Sequence, residues 1–466
     1  MKKNNGITLI ALVITIIVLL ILAGVAIAML SGENGILKKA AEAKTKAKQA
    51  QIDEQVKLAQ MEAASNLNGI THTEKIASIG NKEVSVKIPS GFALSPREGE
   101  QKIETGMVII DAEGNEYVWI PVFEKDATNC TWGVDYSAVK SKAEDSDEYY
   151  TTIQTALKTY TATYKNSSYT DVWYGNANYG KYGYYAEDDT AKENLIYYTN
   201  GNMTEEEYIK LYREMLKSVY TNGGFYIGRY EMGISVADSI TDAQTASRTR
   251  ASKEYVASST NANNQAPTIE GMTTPVSKAN SVPYNWITQS QAQMLAEKLG
   301  KKSSYGSVTS SIMFGVQWDA VCVYIEKLDE NNTATTKSGW LKNNTYGKLW
   351  GNYKTAEFKL DKGYYAKEYD SNPVTWIEDY NTKKGTSTNW LCTTGASEQN
   401  KSLNIYDFGG NESEWTLEMY GNADRPSVFR GLSFSDGSDA YASSRTNTFM
   451  CYSHCYDTSR LALCIK

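Results

Sequence analysis

The chain holds only 2 His and 6 Cys among its 466 residues, so chemistry built on imidazole or thiolate has few positions to use. The densest grouping is Cys451, His454 and Cys455 near the C-terminus. Soft and borderline cations take such ligands, but a closed zinc site needs about four of them, and the other His, His72, is far away in sequence. A disulfide and two separate thiols on an exposed loop are the competing readings, and sequence alone does not choose among the pairings. The surrounding segment, Ser433 to Asp457, is polar, aromatic and loop-like. Its mix of Tyr, Ser, Gly, Asp and Asn is that of a paratope, in which rigid rings supply contact area and short polar side chains supply adaptable hydrogen bonds. The candidate ligand-binding residues are therefore Phe434, Asp436, Asp439, Tyr441, Arg445, Asn447, Phe449, Tyr452, His454, Tyr456 and Asp457.

Composition points the same way. There are 34 Tyr against 9 Phe and 10 Trp, and a ring with a polar tip suits a wet, amphipathic recognition surface. With 47 Lys+Arg against 54 Asp+Glu and a net charge of -7, the chain lacks the basic bias of a nucleic-acid binder. At 41% hydrophobic and 22% charged residues the bulk is globular and not disordered.

The elements that would carry this surface begin with an extreme one. Ile7 to Leu30 contains no charged residue and, at about 1.5 Å per helical residue, is long enough for a hydrocarbon core of ~30 Å. This predicts a single-pass transmembrane helix, with Lys2 and Lys3 holding the N-terminus cytoplasmic and the remainder outside. A secretory signal peptide competes, but its apolar core would be overlong. Residues 31–66, rich in Ala, Lys, Glu and Gln, continue as a polar stem helix with a narrow apolar stripe at Ile52, Val56, Ala59 and Ala63. Residues 67–106 read as linker and strands. Val84–Pro89 alternates with period two, and further strands are expected at Met107–Ile110, Glu116–Val122 and Gly224–Glu231. A Tyr/Asn-rich insertion covers about 131–222 and contains a capping box at Thr204 and Glu207. Helical patterns cover Gln289–Leu299 and Val316–Leu328.

Two family resemblances follow from particular motifs. The leader Met1-Lys2-Lys3-Asn4-Asn5-Gly6 running into Ile7-Thr8-Leu9-Ile10 resembles the class III leader and hydrophobic helix of type IV pilins. The resemblance implies processing by a prepilin peptidase between Gly6 and Ile7, N-methylation of Ile7, and packing among other pilin-like subunits. Ala11 stands where most pilins carry Glu, which points to a minor or tip subunit.

The second resemblance rests on the order of four separated motifs: Tyr117–Val122, Phe225–Glu231, Gly410–Thr416 and Phe429–Phe434. In that order they resemble the formylglycine-generating, or sulfatase-modifying, family over residues 107–466. It implies an α+β, C-type-lectin-like domain with irregular strands and large insertions, carried behind the long N-terminal helix. The family's oxidases place two copper-binding Cys where this chain has Asp436 and Tyr441, so no enzymatic activity and no copper are expected. The Gly-Asn-x-x-Glu-Trp turn of the family often holds a structural Ca²⁺; the matching positions are Asn411 and Glu414, with Asp407 as an extra ligand. The expected function is a non-catalytic adhesin: an extracellular head at the cell surface or pilus that binds a protein or glycan. The alternative is a membrane-anchored receptor whose C-terminal face is diversified, as in some relatives of that family.

Overall fold

A computed structural model describes residues 9–31, 36–66, 73–79, 82–125, 132–173, 203–236, 269–328, 339–342, 349–369, 374–421, 425–437, 440–448 and 453–466. The chain divides into two compact units, Met1–Leu58 and Ala59–Lys466. Among the described residues the structure is mixed α and β, with six α-helices.

The N-terminal expectation needs correction. The apolar run and the Lys/Ala/Glu-rich run lie in two helices, α1 (Leu9–Ser31) and α2 (Ile36–Ser65). An uncharged run is a criterion of composition, whereas spanning a membrane requires a helix that is itself long and apolar enough. No helix among the described residues meets that requirement. The expected architecture, a transmembrane and stem helix leading into a C-type-lectin-like domain, is set aside with it, as is the single-pass topology. Val13, Leu19 and Leu20 of α1 are exposed. At the other end of α2, Ala59 and Ala63 are buried against Ala93; small side chains let the helix backbone approach closely.

A six-stranded antiparallel sheet organises the larger unit. Its strands, all hydrogen-bonded edge to edge, are β3 (Phe92–Leu94), β4 (Val108–Asp111), β5 (Glu116–Pro121), β7 (Gly224–Gly228), β13 (Leu461–Ile465) and β8 (Val308–Ile312), in that spatial order. A hairpin of β1 (Thr73–Ile79) and β2 (Lys82–Ile88) precedes it. In β5 and β7 every residue is buried, which explains why they read as near-continuous apolar runs rather than clean alternation. The second sheet runs β11 (Arg445–Thr448), β10 (Ser427–Arg430), β9 (Ser413–Tyr420) and β12 (Asp457–Ser459), with β6 (Tyr169–Thr170) on β9. The β9–β12 pairing is parallel.

Four helices complete this unit. α3 (Asp147–Tyr160) lies inside the segment read as an insertion and is capped by Ser146, whose side chain accepts from the Tyr149 amide. α4 (Glu205–Asn222) starts at the Thr204/Glu207 capping box and ends at Gly223 in the left-handed region, φ 73°. α5 (Gln289–Gly300) has a second capping box, Thr288 with Gln291. At the start of α6 (Gly315–Leu328) the Gln317 side chain accepts from Phe314 N at 3.0 Å, and Asp171 caps from a distance, accepting from Gly315 N at 2.7 Å and Val316 N at 2.9 Å.

Tyrosine behaves differently from the compositional expectation. Tyr117, Tyr226, Tyr284, Tyr305, Tyr324 and Tyr353 are fully buried, with the polar tips satisfied inside. Tyr117 and Tyr305 share a hydroxyl contact of 2.6 Å, Tyr305 donates to Asp111 at 2.8 Å, and Tyr353 donates to the Gly431 carbonyl at 2.9 Å. Much of the Tyr excess is thus core material that needs an acceptor, and not surface.

Asp171 yields a pH prediction. Burial, with Glu418 nearby, raises its pKa from 3.8 to about 7 against the pull of its two amide donors. The unfolded chain ionises this group near pH ~4, so it lowers stability as pH rises from there to about 7. In Asp171→Asn, the unfolding free energy from denaturant titrations should fall less steeply over that interval than in the parent; equal slopes would contradict the assignment.

Candidate functional site

The turn that leads into β9 is built around Asn411, which is fully buried with φ 59°. Asn tolerates this left-handed geometry better than most residues. Gly410 before it has φ 77°, and a Cβ there would lie 2.5 Å from the Asn352 carbonyl oxygen, so this Gly is required by close approach. The Asn411 side chain is fully used. Oδ1 accepts from Asn352 Nδ2 at 3.0 Å and from Cys392 N at 3.0 Å; Nδ2 donates to Glu231 Oε2 at 2.6 Å and to the Cys392 carbonyl at 3.2 Å. Its backbone joins Asn352 and Phe434.

Beside it, Arg460 is fully buried between β12 and β13. Its guanidinium meets both oxygens of Glu414, with Nη2 to Oε1 at 2.5 Å, and donates to the carbonyls of Gly228, Tyr406 and Asp407 at 3.0, 2.9 and 3.1 Å. Burial raises the Glu414 pKa to about 7 and Asp407 to about 6, in each case against the pull of Arg460. Burial and the neighbouring Asp407, Glu414 and Glu412 push Glu231 well above the ordinary carboxylate range.

These contacts bear on the calcium expectation. The oxygens of Asn411, Glu414 and Asp407 are occupied by protein donors, including the Gly395 amide on Asp407 at 2.6 Å. Among the described residues no group of three or more His, Cys, Asp or Glu is arranged to hold a metal ion.

Above this floor five rings form a continuous strip. Trp286 stacks on His454 at 5.3 Å between centroids, His454 on Tyr456 at 4.3 Å, and Tyr456 and Tyr369 both meet Phe434, at 5.5 and 4.6 Å. Phe434 is buried and anchors the row, while the other four are half-buried. The Trp286 amide donates to the His454 carbonyl at 3.0 Å, and Tyr369 and Tyr456 share a hydroxyl contact of 3.3 Å. Three nearby oxygens lack hydrogen-bond partners: Asn389 Oδ1, Glu412 Oε2 and Asp457 Oδ2. Asn389 Nδ2 donates to Tyr369 Oη at 3.4 Å, and Asn285, next to Trp286, donates to Glu412 Oε1 at 2.8 Å. Burial pushes Glu412 and Asp457 well above the carboxylate range, each raised further by a neighbouring acid, Asp457 and Asp436 respectively.

Of the sequence-selected residues, the structure brings together Phe434, His454 and Tyr456, with Asp457 beneath. Asp436 closes its own turn by accepting from Ser433 N and Oγ at 2.8 and 2.7 Å. Tyr441 lies in the turn after it, its amide on Ser444 Oγ. Arg445 and Asn447 make their contacts elsewhere. Arg445 is locked with Arg430 between Asp319 and Glu418 at 2.7–3.1 Å, and Asn447 bonds the Arg425 carbonyl and Tyr169. Asp439, Phe449, Tyr452 and Cys451 lie outside the described residues, as do Gly6 and Ile7. Cys455 is buried with Sγ 3.1 Å from His454 Nδ1. Trp286, Tyr369 and Asn389 were not foreseen; they come from segments far apart in sequence and share no periodic pattern.

No family profile matches the chain, and no curated protein matches it. Among solved structures it is similar to one described as the crystal structure of CarF, at 14% identity over 52% of this chain and 87% of that chain, with a TM-score of 0.24. It is also similar to Treponema denticola variable protein 1, at 12% identity over 52% and 85% of the two chains, with a TM-score of 0.26. Neither likeness bears on the site.

Replacing Asn411 by Ala strands Glu231, Asn352 and the Cys392 backbone. At ~1–3 kcal/mol per buried group left unpaired, the loss of unfolding free energy should be about 3 kcal/mol or more. A loss below about 1 kcal/mol would show that the turn does not depend on this side chain.

Proposed function

We propose that the larger unit is a non-catalytic binding head that takes a protein or glycan ligand on the strip Trp286–His454–Tyr456–Tyr369. The observation that carries the reading is the row of half-buried rings Trp286, His454, Tyr456 and Tyr369. Rings of this kind offer area at little entropic cost. Burial pushes the Cys322, Cys392 and Cys464 thiols upward, away from the thiolate.

The head would be displayed at the cell surface as a minor or tip pilin-like subunit. Support comes from the leader sequence before Ile7 and from α1, whose exposed apolar side chains, Leu20 at 67% among them, require cover from other chains. An adhesin fits both parts: one unit for assembly, the other for recognition.

The test is a glycan and protein array probed with the full chain and with Trp286→Ala and Tyr456→Ala. Each variant should lose at least about tenfold in affinity for the captured ligand, the scale of an aromatic anchor in a recognition patch. Unchanged binding by both would remove the strip from the function.

A further inference from the structure

A second concavity shares no residue with the aromatic strip. It is an open cleft of about 670 Å³, within the ~300–1,000 Å³ typical of small-ligand sites. One wall is the outer face of α3. Thr152, Thr155, Ala156 and Thr159 recur at helical spacing along it, while Tyr149, Ile153 and Leu157 on the inner face fill the core. The hydroxyl protons of Thr152, Thr155 and Thr159 are already donated to the carbonyls of Glu148, Thr151 and Thr155, at 2.6, 2.8 and 2.9 Å. Each oxygen keeps lone pairs, so this wall offers a row of acceptors spaced by methyl groups.

The facing side carries Trp132, half-buried, an aromatic surface suited to the C–H face of a ring. The rim charges cancel: Lys125 and Lys327 against Asp135 and Glu326. Two of them are also engaged, since Glu326 takes Lys342 at 2.7 Å and Tyr164 at 3.0 Å, and Asp135 accepts from the Ser137 amide at 3.0 Å. The charges around the cleft are thus of mixed sign, and no cluster of one sign is there to select a strongly charged ligand. What fits is a molecule with many hydroxyl donors, an apolar face and no charge.

The geometry points to a neutral oligosaccharide as the occupant of this cleft. The site stands independently of the strip, because it uses other residues and a different balance of chemistry. Hydroxyls of the sugar donate to the Thr oxygens, and one ring face lies on Trp132.

The test titrates the full chain with maltotriose, cellotriose, mannotriose and triacetylchitotriose, read by saturation-transfer NMR and calorimetry. At least one should bind with a Kd of about 1 mM or tighter. Thr155→Arg and Thr159→Arg, on the exposed face of α3, each place a long side chain in the cleft and should weaken that binding by at least about tenfold, with unfolding midpoints confirming that both variants are folded. Absence of binding by all four sugars, or binding that persists unchanged in both variants, would overturn the proposal.

Discussion

The buried pair of Arg460 and Glu414 is the contact on which the arrangement of the larger unit turns. Arg460 is the residue between β12 of the second sheet and β13 of the first. From that point it bonds the carbonyl at the end of β7, two carbonyls of the Tyr406–Asp407 turn, and the carboxylate of Glu414 in β9. One side chain thus ties both sheets and a loop together. Such a pair is costly to desolvate, and removal of either partner costs far more than the pair contributes. What it provides is a unique geometry for segments that have little regular structure of their own.

That geometry extends outward in steps. With β9 held, the Gly410–Asn411 turn adopts its left-handed path and Asn411 distributes four side-chain hydrogen bonds among Glu231, Asn352 and Cys392. With the turn held, Phe434 is placed through its amide on the Asn411 carbonyl, at 2.8 Å, and the rings of Tyr369 and Tyr456 stand against it. A second ionic cluster, Arg430 and Arg445 between Asp319 and Glu418, does comparable work at the other edge of β10 and β11. The aromatic strip is therefore held from below by a buried polar network.

The sequence made some of this legible. One helix start was readable where local chemistry decides it: at the Thr204 capping box a hydroxyl residue precedes a Glu at the right distance, whereas the equivalent box at Thr288 was not singled out. The strands β5 and β7 were readable as apolar runs. α3 was hidden, because a Thr-rich outer face disguises an apolar stripe of only three residues. Arg460, standing where a Gly is usual in the family that the motifs resemble, read as a loose match; its partners come from four distant segments. Arg445 looked like a surface residue for the same reason, since only tertiary contacts with Asp319 and Glu418 bury it. The apolar N-terminal run failed in the opposite sense: no helix among the described residues is long and apolar enough to cross a membrane.

The most direct measurement is a double-mutant cycle on the central pair, using Arg460→Met and Glu414→Leu and unfolding free energies from denaturant titration. Each single variant should lose ~3–5 kcal/mol by leaving an uncompensated buried charge, and the double variant should be at least as stable as either single one. Additive losses, or single losses within ~0.5 kcal/mol of the parent, would contradict the pair's place at the centre of the structure.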